Sequence, residues 1–129
     1  MIDVSRSGGL LPLRCATTRP RPDVCVVHLA GELDMATVPV VARWLQQQAA
    51  PRPAELVLDL GAVTLLAAAG VALLVEVQHD DLGLGGRLHL VGVAGNRAVD
   101  RVLRITGLRS AFDVYDDLRA LLDALPPPR

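Results

Sequence analysis

LVLDLGAVTLLAAAG, residues 56–70, holds the turning point of the chain. Its first five residues, Leu56-Val57-Leu58-Asp59-Leu60, are nearly all apolar, as in a short strand. Its second half is rich in alanine, a good helix former, and the apolar GVALLVEV at 70–77 carries the pattern on. This predicts a strand over 56–60, a break at Gly61, and a helix that begins near Ala69 and runs to about Leu82. Gly83, Gly85 and Gly86 then end the helix, and Arg87 to Val91 reads as the next strand. A strand, a helix and a second apolar strand make one unit of a parallel sheet.

Toward the N-terminus, Val24 to Ala30 (VCVVHLA) is nearly all apolar, as expected of a strand covered on both faces. Leu10 to Thr17 is read as an edge strand, because Pro12 suits an edge better than a sheet centre. Between them Arg19-Pro20-Arg21-Pro22-Asp23 reads as the turn of an antiparallel hairpin. Gly31-Glu32-Leu33-Asp34 interrupts the apolar run. A helix follows, with Asp34 or Thr37 as N-cap, Pro39 in its first turn and Val38, Val41, Leu45 and Ala49 at helical spacing. Pro51-Arg52-Pro53 stops it.

Toward the C-terminus, Asn96 to Thr106 reads as a third helix, with Val99, Val102 and Leu103 on one face and Gly107 as its terminal glycine. Phe112 to Tyr115 is a short last strand. Asp116 and Asp117 open a final helix whose stripe is Leu118, Leu121, Leu122 and Leu125. The order β-β-α-β-α-β-α-β-α predicts an α/β fold: a mixed, mainly parallel sheet of four or five strands with about four α-helices. One domain is expected over residues 10–125, with a flexible leader at 1–9 and a flexible tail at 126–129.

The 129 residues suffice for one core but not two ordinary domains. Thirteen basic against 14 acidic residues leave no overall electrostatic footprint for nucleic acid or an anionic membrane. With one Trp, one Tyr and one Phe, stacking on bases is not expected either. The N-terminus lacks the pattern of a signal peptide, and the uncharged run 62–75 is too short to span a bilayer. A cytoplasmic protein without membrane insertion is the expectation.

Cys15 and Cys25 form no CxxC. They read as small buried hydrophobes, with a strained cross-strand disulfide or a redox role as alternatives. His28, His79 and His89 are scattered and lack metal-ligand spacing, so structural or surface roles are expected and no metal site. Gly83-Leu84-Gly85-Gly86 lacks the Lys-Ser/Thr of a phosphate loop and lies after a helix rather than before one; it reads as a turn. No nucleophile stands in a recognisable setting. Neither an enzyme nor a cofactor is expected. Gly31 to Asp34 is the stretch that stands out, because binding surfaces of α/β domains gather where strands lead into helices.

Three segments together resemble the STAS domain, in the form found in bacterial anti-sigma factor antagonists. GELD at 31–34 resembles the family's motif at the end of its second strand. LVLDLGAVTLLAAAG at 56–70 resembles the central strand leading into Asp-Ser-Ser-Gly, and VDRVLRITGLRSAFDVYDDLRALL at 99–122 resembles the closing helix, Gly-Leu, Phe, strand and helix. The resemblance covers about residues 10–125.

It implies a non-enzymatic module that binds an anti-sigma factor, often one with an ATPase-fold kinase domain, and so frees a sigma factor. In the family the second serine of Asp-Ser-Ser-Gly is the phosphorylated switch. Here Ala67, Ala68 and Ala69 stand for Asp-Ser-Ser, and only Gly70 is kept. An alanine methyl accepts no phosphoryl group, so Ala69 is a lost phosphorylation site. The nearest hydroxyl is that of Thr64. The resemblance places the partner-binding surface at Gly31, Glu32, Leu33, Asp34, Ala68, Ala69, Gly70 and Ala72, with Asn96 from the Gly92–Arg97 loop. An alternative implied role is a structural STAS subunit docked permanently onto a larger transport or signalling assembly.

Overall fold

Alternation along the two central strands decides how the layers stack. The computed structural model describes residues 12–49 and 52–127. Its elements run β1 (Leu13–Arg21), β2 (Val24–Leu33), α1 (Val38–Gln48), β3 (Glu55–Leu66), α2 (Ala68–Gln78), β4 (Arg87–Val91), α3 (Arg97–Ile105), β5 (Val114–Tyr115) and α4 (Leu118–Ala124), with a 3-10 turn at Arg109–Ala111. The strands form one sheet in the order β1-β2-β3-β4-β5. β1 is antiparallel to β2, and the other pairs are parallel. This is the mixed, mainly parallel sheet with four helices that the sequence predicts.

Cys25, Val27 and Leu29 of β2 and Leu56, Leu58 and Leu60 of β3 face one way, into the main core with α1, α2 and α3. Val24, Val26 and Val57 face the other way and meet Leu121 of α4. Both faces are covered, which is why these strands read as unbroken apolar runs. Trp44 of α1 lies in the main core, and its Nε1 donates to Thr17 Oγ1 at 3.0 Å. Cys15 and Cys25 are both buried in the same core. Burial raises the Cys25 pKa against the pull of Arg19, as befits an inert side chain.

Several boundaries differ from the sequence reading, each for a tertiary reason. β1 continues through Arg19-Pro20-Arg21, and the turn is only Pro22-Asp23. Pro20 is tolerated because β1 is the sheet edge, and the register shifts between Thr18 and Arg21. The predicted start at Leu10, the leader 1–9, Pro51 and the last two tail residues lie outside the described residues.

Gly61 does not break β3, nor does Gly31 end β2. The two strands extend together, pairing Ala30 with Ala62 and Leu33 with Leu66, and absorb the irregularity in two register shifts. At Gly31 the backbone has φ +114°, and a Cβ there would lie 2.0 Å from the Pro12 carbonyl oxygen. Only glycine permits that crossing. α2 ends at Gln78 rather than near Leu82. Asp80 turns the chain with φ 57°, and its carboxylate accepts from the Gly85 N–H at 3.0 Å. The last strand shortens to Val114–Tyr115, and Phe112 is drawn into the core.

Candidate partner-binding site

The extension of β2 and β3 carries two of the sequence-singled segments to one end of the sheet. β3 ends at Leu66, Ala67 is extended, and α2 begins at Ala68. The Ala67 N–H donates to the Leu33 carbonyl at 2.9 Å, tying the helix entry to the end of β2. Gly70 completes the junction. A Cβ on it would lie 2.9 Å from Leu33 Cβ and from the Leu33 carbonyl oxygen, and 2.7 Å from Leu66 Cδ1. Close packing thus requires the one residue of the four-residue motif that is retained.

The named residues divide by exposure. Leu33 and Gly70 are buried and hold the junction together. Ala68 and Ala72 are exposed, while Gly31, Glu32, Asp34 and Ala69 are half-buried. Asp34 Oδ1 accepts from the Ala36 and Thr37 N–H groups, and the Thr37 hydroxyl donates to the Glu32 carbonyl at 2.7 Å. Asp34 therefore shapes the turn before α1, and Thr37 is that helix's N-cap residue without a side-chain capping bond.

Asn96 is committed inward. Its Nδ2 donates to the Leu60 and Val63 carbonyls at 2.8 and 2.7 Å, and its Oδ1 caps α3 through the Ala98 N–H. It pins α3 to β3 beside the site. Thr64 is exposed on β3.

Two residues at this end were not singled out in the sequence. Met35 is 83% exposed and Leu65 45% exposed, two of the three exposed large hydrophobic residues among those described. Met35 follows Asp34, and Leu65 pairs with Glu32. Each adjoins along the chain one of the two segments that meet at the junction, and exposed large apolar side chains gathered at one end of a domain mark protein contacts. The available signal was their position, next to the GELD and AAAG motifs but outside either strand or helix periodicity.

The histidines, scattered in sequence, are paired in space. His28 links Thr18 Oγ1 (2.9 Å) to Asp59 Oδ2 (2.8 Å) across β1, β2 and β3. His89 lies between Glu55 and Asp113, and Arg87 also bonds Glu55. His28, Glu55, Asp59 and His89 each stand two residues from Val26, Val57 or Val91 and so share the α4 face with them, away from the main core. Among the described residues no group of three or more His, Cys, Asp or Glu could hold a metal ion.

The α2 entry lacks a side-chain cap, because Ala67 stands where the related motif has an aspartate. Ala67→Asp should therefore stabilise the fold by about 1 kcal/mol, by accepting from a first-turn N–H. Thermal unfolding at neutral pH measures it; a lower midpoint would show that the pocket around residue 67 rejects a carboxylate.

Two of the segments quoted for the resemblance, Gly31 to Asp34 and the alanine-rich stretch, thus meet at one junction, the entry of α2 beside the end of β2. The STAS domain profile matches residues 16–121. The chain belongs to the STAS domain family. This STAS domain is 26% identical over 99 residues to the anti-sigma-F factor antagonist RsfB of Mycobacterium tuberculosis, a match covering 77% of this chain and 79% of that protein. The crystal structure of an anti-sigma factor antagonist from Mycobacterium paratuberculosis superposes with a TM-score of 0.73 at 29% identity, over 87% of this chain and 92% of that one. A sulfate transporter family protein from Wolinella succinogenes gives a TM-score of 0.66 at 20% identity, over 80% of this chain and 84% of that one, and shares the fold alone. Among the described residues no helix of this STAS domain is long and apolar enough to cross a membrane.

Proposed function

We propose that this STAS domain is a cytoplasmic anti-sigma factor antagonist that binds an anti-sigma factor at the start of α2 and does so independently of phosphorylation. The observation that carries the reading is the segment Ala67-Ala68-Ala69-Gly70, set at the helix entry next to exposed Met35 and Leu65. The surface is apolar and has no hydroxyl where the family is switched. A phosphate would add a dianion that must be desolvated against the partner. Without an acceptor the domain stays in the binding-competent chemical form. Its partner-binding residues are Glu32 and Asp34 on the approach, Ala68, Ala69 and Ala72 on the helix, and Met35 and Leu65 beside them. Gly31, Leu33, Gly70 and Asn96 act by holding that surface in shape. The role is that of a binding module, without catalysis or cofactor.

The test is to incubate the protein with ATP and each anti-sigma factor of its host that has an ATPase-fold kinase domain. Intact mass and calorimetric titration are then read together. The expected result is tight binding to one of them with no gain of phosphate. Stoichiometric phosphate on Thr64 would show a displaced switch and end the phosphorylation-independent reading. Binding only to a membrane-transport subunit would favour a structural role in a larger assembly.

A further inference from the structure

The third exposed large hydrophobic residue, Ile105 at 73%, stands apart from the α2 site, on α3. Val99 and Leu103 face the core and are fully buried. On the outward side, Arg101 follows Arg97 by four, and Ile105 and Arg104 follow Arg101 by four and three, which places them along one stripe. Arg97, Arg101, Arg104 and Ile105 line one groove with Asp100, and Arg104 also lines a second with Gly107, Arg109 and Ser110. The two grooves therefore adjoin.

Charge is concentrated here. Residues 97–109 hold four of the chain's 13 basic residues and one of its 14 acidic ones. That one, Asp100, is fully engaged: Arg104 Nε bonds it at 2.8 Å and Arg109 Nε at 3.0 Å. Arg97 and Arg101 have no hydrogen-bond or ion-pair partner among the described residues. The rest of the molecule is net acidic, so an anionic partner is repelled elsewhere and drawn to this stripe.

We propose that the outward stripe of α3, Arg97, Arg101, Arg104 and Ile105 extended by Arg109, is a second docking surface that takes an acidic segment of a protein partner. The inference rests on the reading of this chain as a protein-binding module. Arginine forks match carboxylates bidentately, and Ile105 supplies an apolar anchor among them. A phosphate backbone has nothing to bury against that isoleucine, whereas an amphipathic acidic segment does. Asn96 fixes α3 to β3 near the extended β2–β3 end, so one partner can reach both surfaces.

The test uses the full chain in its host cells, with the photocrosslinking residue p-benzoylphenylalanine placed at Ser110 in one version and at Ala72 in another. Adducts are identified by mass spectrometry. The expected result is an adduct from position 110 to a protein segment in which Asp and Glu outnumber Lys and Arg. Its yield should fall at least about tenfold in the R97E/R101E background, because like charges then oppose. Glutamate is favoured at the first helical position and Arg101 bonds nothing, so circular dichroism should show an intact fold. The single change R101Q, which reverses no charge, should give a smaller loss in the same direction. No adduct, an adduct to nucleic acid, lipid, a second copy or a non-acidic segment, or a yield that ignores both variants, overturns the proposal. An acidic, charge-dependent adduct at 110 beside an Ala72 adduct that is not an anti-sigma factor would instead overturn the proposed function and leave the α3 surface standing.

Discussion

Ala69→Glu should abolish binding to the anti-sigma factor while the protein unfolds at close to its usual temperature. The two effects have opposite physical signs. Ala69 is in the first turn of α2, and Ala67 gives that turn no side-chain acceptor. A carboxylate there meets unpaired N–H groups and the positive end of the helix dipole, so stability should hold or rise by about 0.3–1 kcal/mol. In the complex the same carboxylate must leave water against an apolar surface that includes Met35 and Leu65. Without a cation to meet it, the penalty reaches several kcal/mol, or at least about a hundredfold in affinity. Thermal unfolding and calorimetric titration of both proteins check the two halves. A folded variant that binds with unchanged affinity would remove the α2 entry from the interface.

The order of elements was legible in the sequence because short apolar runs alternate with stretches of helical spacing, capping residues and glycine or proline stops, and the apolar residues of the runs at 24–29 and 56–60 divide between the two cores. How far β2 and β3 run was not. Gly31 and Gly61 look like breaks locally, and only the pairing of β2 with β3, with its two register shifts, keeps both segments extended. The site was legible as motifs, since Gly31 to Asp34 and Ala67 to Gly70 do meet through Leu33. Its apolar flanks were not, because the exposure of Met35 and Leu65 depends on what neighbours leave uncovered. The charged clusters were invisible for a stricter reason. Glu55 comes from β3, Arg87 and His89 from β4 and Asp113 from just before β5, and their meeting depends on register that no local pattern encodes.

That last cluster carries the largest expected loss of stability. Glu55 and His89 have side chains only 6% exposed. Glu55 Oε1 takes His89 Nε2 at 2.7 Å, and Arg87 Nη2 reaches Oε2 at 2.8 Å. His89 Nδ1 meets Asp113, so each ring nitrogen faces a carboxyl oxygen. Burial pushes the Glu55 pKa up, but the hydrogen bonds and charges of Arg87 and His89 outweigh it, and the carboxyl lies below its usual range. Glu55→Gln keeps the shape and removes the charge, leaving His89 between one neutral amide and one half-exposed carboxylate. The expected cost is about 2–3 kcal/mol. Arg87 is largely in water, so Arg87→Ala should cost much less. The sign with pH follows from the depressed value. The stability due to Glu55 ionisation is fully present above the unfolded pKa of about 4.3, and is lost as pH falls from there through the lower folded value. Wild type should therefore lose stability more steeply than Glu55→Gln as the pH drops below about 4.3, and the gap between them should narrow. Denaturant midpoints measured from pH 7 downward test this. Parallel curves would mean that the carboxylate is not ionised in the folded protein. The cluster starts from the first residue of β3, and the candidate partner site lies at the opposite end of that strand. Glu55→Gln should thus weaken the fold at neutral pH without changing the affinity of the molecules that remain folded.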